Sequence, residues 1–197
     1  YNKLKVQVTD NASGDILDNP KVMFVPVMEM NSGMMHACPS EQPTYNISLK
    51  VMEGTVTFVM PSMGLGQWTL GLDLENAAGT KETIKINVDV LEKAEPQLFS
   101  FISAHDPNQR VFVALVNPKM PEIGINDFEV VVYERETMMS WPAVEMLNIT
   151  IDPEMPTMGH GSPNNVNPTD MGEGHYLGKV NFTMSGYWKV NMKLMTS

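Results

Sequence analysis

An internal repeat at a spacing of 124 residues constrains this chain more than any other feature. Methionine, histidine and proline recur within a stretch rich in glycine and proline, in the pairs Met34 and Met158, His36 and His160, and Pro39 and Pro163. The stretch that follows repeats at the same spacing, in the pairs Gly54 and Gly178, Val56 and Val180, Phe58 and Phe182, and Met60 and Met184. A register kept over about sixty residues predicts a tandem repeat of one domain type.

Alternating apolar and polar residues predict short β-strands in both repeats. Residues 4–8 alternate in the first repeat, and residues 128–132 alternate at the same shift in the second. Residues 98–102 and 111–116 predict a hairpin at the start of the second repeat, and a further strand is expected at residues 47–51. No segment shows a convincing period of 3.6 residues, and Gly, Pro, Asn and Asp mark turns between the strands.

This pattern predicts an all-β fold of two tandem immunoglobulin-like β-sandwich domains, at residues 1–95 and 96–197. The first repeat shows no counterpart of the hairpin at residues 98–116, so we expect it to lack its first strands. Residues 31–44 and 152–174 are broken by Gly, Pro or Asn and lack periodicity. They are therefore predicted to be loops that carry the repeated motif.

Composition and charge argue against several classes of partner. The chain of 197 residues has a net charge of -10 and a pI of about 4.8, which disfavours nucleic acid because phosphate binding needs a basic face. No run of about eighteen apolar residues occurs, so no membrane-spanning helix is predicted. The first residues already have the pattern of a strand, so we expect any signal peptide or lipid anchor to be absent from this chain. Its single cysteine, Cys38, excludes an intrachain disulfide.

The repeated methionines and histidines predict sites for a soft metal ion, and methionine is abundant, with 18 residues in the chain. Thioether sulfur is a soft neutral ligand and imidazole is borderline, a combination that suits Cu(I) and, by the same argument, Ag(I). In an extended segment the side chains of residues i and i+2 point to one face, so each Met-x-His pair can converge on one ion. The predicted ligands are Met34, His36 and Met60 in the first repeat and Met158, His160 and Met184 in the second.

Further candidate ligands accompany this shared set. His175 is a candidate fourth ligand in the second repeat. The candidate extras in the first repeat are Met28, Met30, Cys38 and Met63. His105 lies in a turn without soft neighbours and is not taken as a ligand.

Each of these assignments has a plainer alternative. Met60 and Met184 have the strand parity of core residues, so packing in the core is an alternative to ligation. The two motif histidines can instead be solvated or hydrogen-bonded. Cys38 faces a serine in the other repeat, which favours an incidental buried residue. The late tryptophans Trp68 and Trp188 are interpreted as core residues of the sandwiches.

The second repeat resembles the YtkA-like domain, which is related to the FixH family. The resemblance is carried by residues 155–161, 174–176 and 180–188. The first repeat resembles the family only through the internal repeat, because residues 33–39 lack the glycines beside the histidine. The family consists of small β-sandwich domains of bacterial envelope proteins, often in copper-handling contexts, and the tandem form resembles lipoproteins of Bacteroidetes-type bacteria. The resemblance implies copper as the metal and a location in the periplasm or at the outer membrane.

We therefore expect a non-enzymatic envelope protein that binds Cu(I) as a chaperone, a buffer or an accessory of a transporter. No phosphate loop, nucleophile elbow or His-Glu-x-x-His motif predicts an enzyme. The expected partners are the copper ion and an outer-membrane transporter or a copper-efflux component, with contact to a membrane only through a lipid anchor. One alternative is a protein-interaction module that docks through its Met-rich loops. Another is a chain whose methionines consume oxidants.

Overall fold

The structure is a computed structural model that describes residues 1–62, 64–76, 79–104 and 106–196. These residues form fifteen β-strands and no helix, and every paired strand is antiparallel to its neighbour. The prediction of an all-β fold of β-sandwich type is confirmed, while its immunoglobulin-like tandem form stays a prediction. No helix able to span a membrane occurs in the described part of the chain.

The first compact unit, called unit 1, consists of Tyr1–Pro96 and Glu136–Trp141. Its strands are β1 (Asn2–Val6), β2 (Lys21–Met30), β3 (Met35–Ala37), β4 (Ser40–Asn46), β5 (Val51–Val56), β6 (Gly66–Glu75) and β7 (Lys81–Val88). They form a three-stranded sheet in the order β1-β5-β4 and a four-stranded sheet in the order β3-β2-β6-β7. Every second residue of β2 from Val22 to Met28 is buried, because these side chains face the other sheet. The core joins both sheets and contains Val22, Phe24, Met28, Cys38, Met52, Val56, Trp68, Leu70 and Leu72.

The second compact unit, called unit 2, consists of Gln97–Arg135 and Pro142–Ser197. Its strands are β8 (Leu98–Ile102), β9 (Arg110–Asn117), β10 (Gly124–Arg135), β11 (Leu147–Met155), β12 (His160–Gly161), β13 (Val166–Gly172), β14 (His175–Phe182) and β15 (Lys189–Thr196). They form a five-stranded sheet in the order β13-β14-β10-β9-β8 and a three-stranded sheet in the order β12-β11-β15. The predicted hairpin at residues 98–116 is confirmed as β8 and β9. The core lies between the sheets and contains Val111, Val113, Phe128, Val130, Val132, Ile149, Ile151, Tyr176, Val180 and Phe182.

A glycine in each unit allows an edge strand to bulge against its neighbour. The register of β4 against β5 shifts after Glu41, and that of β13 against β14 shifts after Val166. A Cβ atom added to Gly54 would lie 2.8 Å from the carbonyl oxygen of Glu41, and one added to Gly178 would lie 2.4 Å from that of Val166. Both distances are too short for a side chain, so the recurrence of glycine at this pair of positions follows from close backbone approach.

The bulged edge strands also connect the two sheets through side-chain amides. Oε1 of Gln42 accepts a hydrogen bond from the N–H of Phe24 at 2.9 Å, and its Nε2 donates to the carbonyl oxygen of Phe24 at 3.1 Å. In unit 2, Oδ1 of Asn167 accepts from the N–H of Ile151 at 3.0 Å. Phe24 and Ile151 lie on β2 and β11, at positions beyond the short edge strands β3 and β12. The amides therefore bind backbone groups that these edge strands do not reach.

The prediction that residues 31–44 and 152–174 are loops is wrong, because each segment contains edge strands. β3 and most of β4 lie in the first, and β12, β13 and the end of β11 lie in the second. Edge strands tolerate proline and glycine because one side of the strand needs no ladder partner, and strands this short have no measurable period. The expected strand at residues 47–51 is also wrong: Asn46 accepts hydrogen bonds from the N–H groups of Ser48 and Leu49 and fixes a turn.

Replacing the repeated glycine should destabilise the unit that carries it. We expect Gly178→Ala to lower the free energy of unfolding of unit 2 by about 1–3 kcal/mol, because the new methyl group overlaps the β13 backbone. Lys179→Ala on the same strand is the matched control and should change it by less than about 0.5 kcal/mol, since Lys179 is exposed. Urea unfolding followed by circular dichroism measures both. Equal stability of the two variants would contradict the close approach.

Candidate metal centre

In unit 1, a methionine, a histidine and a tryptophan stand side by side on three adjacent strands. His36 on β3 pairs with Met28 on β2, and Met28 pairs on its other side with Trp68 on β6. Directly paired residues of antiparallel strands point to the same face, so all three side chains face the core. Met28 and Trp68 are fully buried, and His36 is 2% exposed. The rings of His36 and Trp68 meet edge to face, with centroids 5.1 Å apart and planes at 89°.

The hydrogen bond made by His36 determines which of its ring nitrogens carries the proton. Nδ1 lies 3.1 Å from the carbonyl oxygen of Ala37. A carbonyl oxygen can only accept, so Nδ1 carries the proton and Nε2 of the neutral ring presents a lone pair. Nε2 is buried and has no hydrogen-bond partner. A buried acceptor left in this state costs about 1–3 kcal/mol, unless a ligand takes up the lone pair.

Unit 2 contains the corresponding arrangement. His160 begins β12 and pairs with Met155 at the end of β11. The ladder of β11 with β15 ends one residue before Met155, and continuing its register places Met155 beside Trp188. The rings of His160 and Trp188 have centroids 5.8 Å apart and planes at 76°. Met155 is buried, whereas His160 and Trp188 are half-buried, so this cluster lies nearer the surface.

The tryptophan of each cluster holds the predicted third ligand in place. Nε1 of Trp68 donates to the carbonyl oxygen of Met60 at 3.0 Å, and Nε1 of Trp188 donates to that of Met184 at 3.0 Å. The side chain of Met155 also reaches this turn, because a Cβ atom added to Gly186 would lie 3.0 Å from its Cε. The backbones of Met60 and Met184 are thus fixed next to the histidine clusters, as required of ligands and equally of packing residues.

Met34 and Met158 lie in the turns that lead into the histidine strands. The carbonyl oxygen of Met34 accepts from the N–H of Met30 at 2.9 Å, and the N–H of Met158 donates to the carbonyl oxygen of Met155 at 3.1 Å. Their side chains are 51% and 60% exposed. Each thioether therefore sits at the surface two residues before its histidine, where it can meet an arriving ion.

Sequence reasoning gave too little weight to four members of the clusters. Trp68 and Trp188 were interpreted as core residues only, Met28 as an extra ligand, and Met155 was not predicted as a ligand. The spacing of 124 residues hides the methionines, because Met28 and Met155 are 127 residues apart. Seven residues separate Met28 from His36, but four separate Met155 from His160, so the second hairpin is three residues shorter. Met28 and Met155 could have been identified as the residues that pair with each histidine across its hairpin.

The structure does not bring His175 to the unit 2 cluster. His175 begins β14, and Phe182, whose ring lies against Trp188, ends it. Seven strand steps at about 3.3 Å separate the two residues by roughly 23 Å. Nδ1 of His175 lies 2.9 Å from Oε1 of Glu129, within its own sheet. His175 is therefore not part of the cluster that contains His160.

The remaining candidates differ in how they could contribute. Cys38 is buried in the unit 1 core, and its burial raises the pKa of the thiol far above the ordinary value, so the uncharged form is favoured. Met30 is half-buried at the end of β2. Met63 and His105 lie outside the described residues.

The donor sets fit a soft monovalent ion better than a hard or borderline divalent one. Among residues 1–62, 64–76, 79–104 and 106–196, no three His, Cys, Asp or Glu side chains group closely enough to hold a metal. Any centre at these clusters therefore combines one imidazole with neutral thioethers, the donors that select Cu(I). The face of an indole ring can add attraction for a cation that lies over it.

Comparison with known proteins finds one similar family, and the similarity lies in the second repeat. A family model described as YtkA-like matches residues 105–193, a range that contains Met155, His160, Met184 and Trp188. No curated protein and no solved structure matches the chain. The second repeat is therefore similar to YtkA-like domains, as its motif residues predicted. The relation to FixH and to Bacteroidetes-type lipoproteins stays a prediction.

Cys38 should be chemically inert in the native chain. We expect iodoacetamide at pH 8 to alkylate Cys38 at least roughly tenfold more slowly in the folded protein than in urea, because the thiolate is the reactive form and burial disfavours it. Mass spectrometry of timed samples measures the rate, and the unfolded chain serves as its own control. Alkylation at the same rate in both states would show that the thiol of Cys38 is accessible in the folded protein.

Proposed function

We propose that this chain is a non-enzymatic copper-binding protein of the bacterial envelope, in the periplasm or at the outer membrane, which holds Cu(I) at the two Met–His–Trp clusters. The observation that carries the proposal is the lone pair of His36 Nε2, which is buried without a hydrogen-bond partner beside a buried methionine. A buried nitrogen in this state is a preformed metal ligand, because the hydrogen bond from Nδ1 fixes the tautomer. The similarity of the second repeat to YtkA-like domains supports the same assignment.

The chemistry of the donors favours Cu(I) over other biological metals. In unit 1 the ligands are His36 and Met28, with Met60 on the adjacent turn and Met34 at the entrance. In unit 2 the corresponding set is His160, Met155, Met184 and Met158. Thioethers need no deprotonation and bind Cu(I) without adding charge to a buried site, whereas Zn²⁺ prefers thiolate, imidazole and carboxylate.

A carrier role follows from the same features. The net charge of -10 attracts cations to the surface, and the clusters offer coordination without a group that performs a reaction. The protein would act as a chaperone, a buffer or an accessory of a transporter. Its partners would be the copper ion and a copper-efflux component or outer-membrane transporter, and a lipid anchor would provide any attachment to the membrane.

Anaerobic titration with Cu(I) against a chromophoric chelator tests the proposal. We expect the intact chain to withdraw two equivalents from the chelator, one for each cluster. The variant Met158→Leu/His160→Ala should withdraw one, and so should Met28→Leu/His36→Leu, since each removes the histidine and one methionine of one unit.

The variant His175→Gln is the matched control, because it removes a histidine that lies outside both clusters, and it should retain two equivalents. No competition with the chelator by the intact chain would overturn the copper assignment. The exposed methionines of the turns would then be examined as a docking surface.

The stability of the metal-free chain gives an independent prediction. Replacing His36 by leucine removes a hydrogen bond but also a buried lone pair without a partner, so we expect the free energy of unfolding to change by less than about 1 kcal/mol. Excess Ag(I), which is inert to oxidation, should raise the thermal midpoint of the intact chain through mass action. His36→Leu should reduce that rise. Strong destabilisation of the metal-free variant would instead assign His36 a structural role.

A further inference from the structure

The two clusters share their donors but differ in access to solvent. In unit 1 the ring of His36 is 2% exposed, and the two side chains beside it, Met28 and Trp68, are fully buried. In unit 2 the rings of His160 and Trp188 are half-buried. An ion that reaches Nε2 of His36 must therefore displace part of the unit 1 core, whereas His160 can be approached from outside.

The hairpin that covers the unit 1 cluster is held on both sides. β3 forms three pairs with β2, from Val27 with Ala37 to Glu29 with Met35. On its other edge the N–H of Ala37 donates to the carbonyl oxygen of Met138 at 2.8 Å. Met138 belongs to the segment Glu136–Trp141, which is part of unit 1. Exposing His36 requires these hydrogen bonds to break together.

The hairpin over the unit 2 cluster is smaller, and two donors of this cluster are exposed to solvent. β12 has two residues and two pairs with β11. Two predicted donors, Met158 and Met184, are exposed. An incoming ligand can therefore contact an ion at this cluster without prior opening of the fold.

We infer that the two clusters exchange their ion by different routes, and this inference rests on the proposed function. In unit 2 an incoming ligand would replace the exposed thioethers of Met158 and Met184 directly, without prior opening of the fold. Unit 1 exchanges only after the β2–β3 hairpin opens locally. Unit 2 is thus the site that receives and delivers the ion, and unit 1 is the site that retains it.

Release kinetics of single-site chains test this division. Met28→Leu/His36→Leu leaves the unit 2 cluster, and Met158→Leu/His160→Ala leaves the unit 1 cluster. Each is loaded with one equivalent of Cu(I) and mixed with increasing excess of a chromophoric chelator under anaerobic conditions. We expect release from unit 2 to accelerate in proportion to chelator. Release from unit 1 should reach a plateau set by hairpin opening, at a rate at least about tenfold lower.

A readout on the metal-free chain checks the same difference in access. Diethyl pyrocarbonate should modify His160 at least about tenfold faster than His36, as mapped by mass spectrometry. Equal modification of the two rings, or equal release with the same dependence on chelator, would overturn the division of roles while leaving copper binding intact. Absence of Cu(I) binding by the intact chain would overturn the proposed function itself, and the inference with it.

Discussion

A short edge strand is the constraint on which both units depend. β3 and β12 cover only the ends of β2 and β11, so the backbone of Phe24 and of Ile151 needs another partner. The amides of Gln42 and Asn167 supply it from the opposite sheet. They reach across because β4 and β13 bulge, and the bulge fits because the neighbouring strand has glycine at that point. The need of these backbone groups for a hydrogen-bond partner thus explains the side-chain amide, the bulge and the repeated glycine.

The same short strands place the histidines. Each begins or lies within an edge strand whose partner residue is a methionine, and a tryptophan stands on the far side of that methionine. The arrangement concentrates polarisable groups without a formal charge, so it can be built into a sandwich core at little electrostatic cost. The residual cost falls on a single atom, Nε2 of His36. A buried nitrogen without a hydrogen-bond partner breaks the local rule that buried polar atoms are paired, as is expected of a functional residue.

Much of this architecture could be predicted from the sequence, and the failures have physical causes. The alternation at residues 4–8 and 128–132 identified β1 and β10, because their alternate apolar side chains pack in or against the cores. β12 and β13 were missed because edge strands accept Pro, Gly and Asn, which signal loops elsewhere. β3 was missed because three residues are too few to show a period. The 124-residue repeat located both histidines and both third methionines. It could not locate Met155, because a hairpin shortened by three residues moved the partner of His160 out of register with Met28.

The membership of Glu136–Trp141 in unit 1 has a consequence for how the protein can be divided. The repeat in sequence is not a repeat of separable parts, because residues from the connection between β10 and β11 complete the edge of β3 through Met138. A polypeptide that stops at Pro96 would leave the N–H of Ala37, the residue after His36, without this partner. Recombination that exchanged only the first repeat with a related gene would break the same contact. Unit 1 is therefore complete only with residues that the chain supplies forty positions after Pro96.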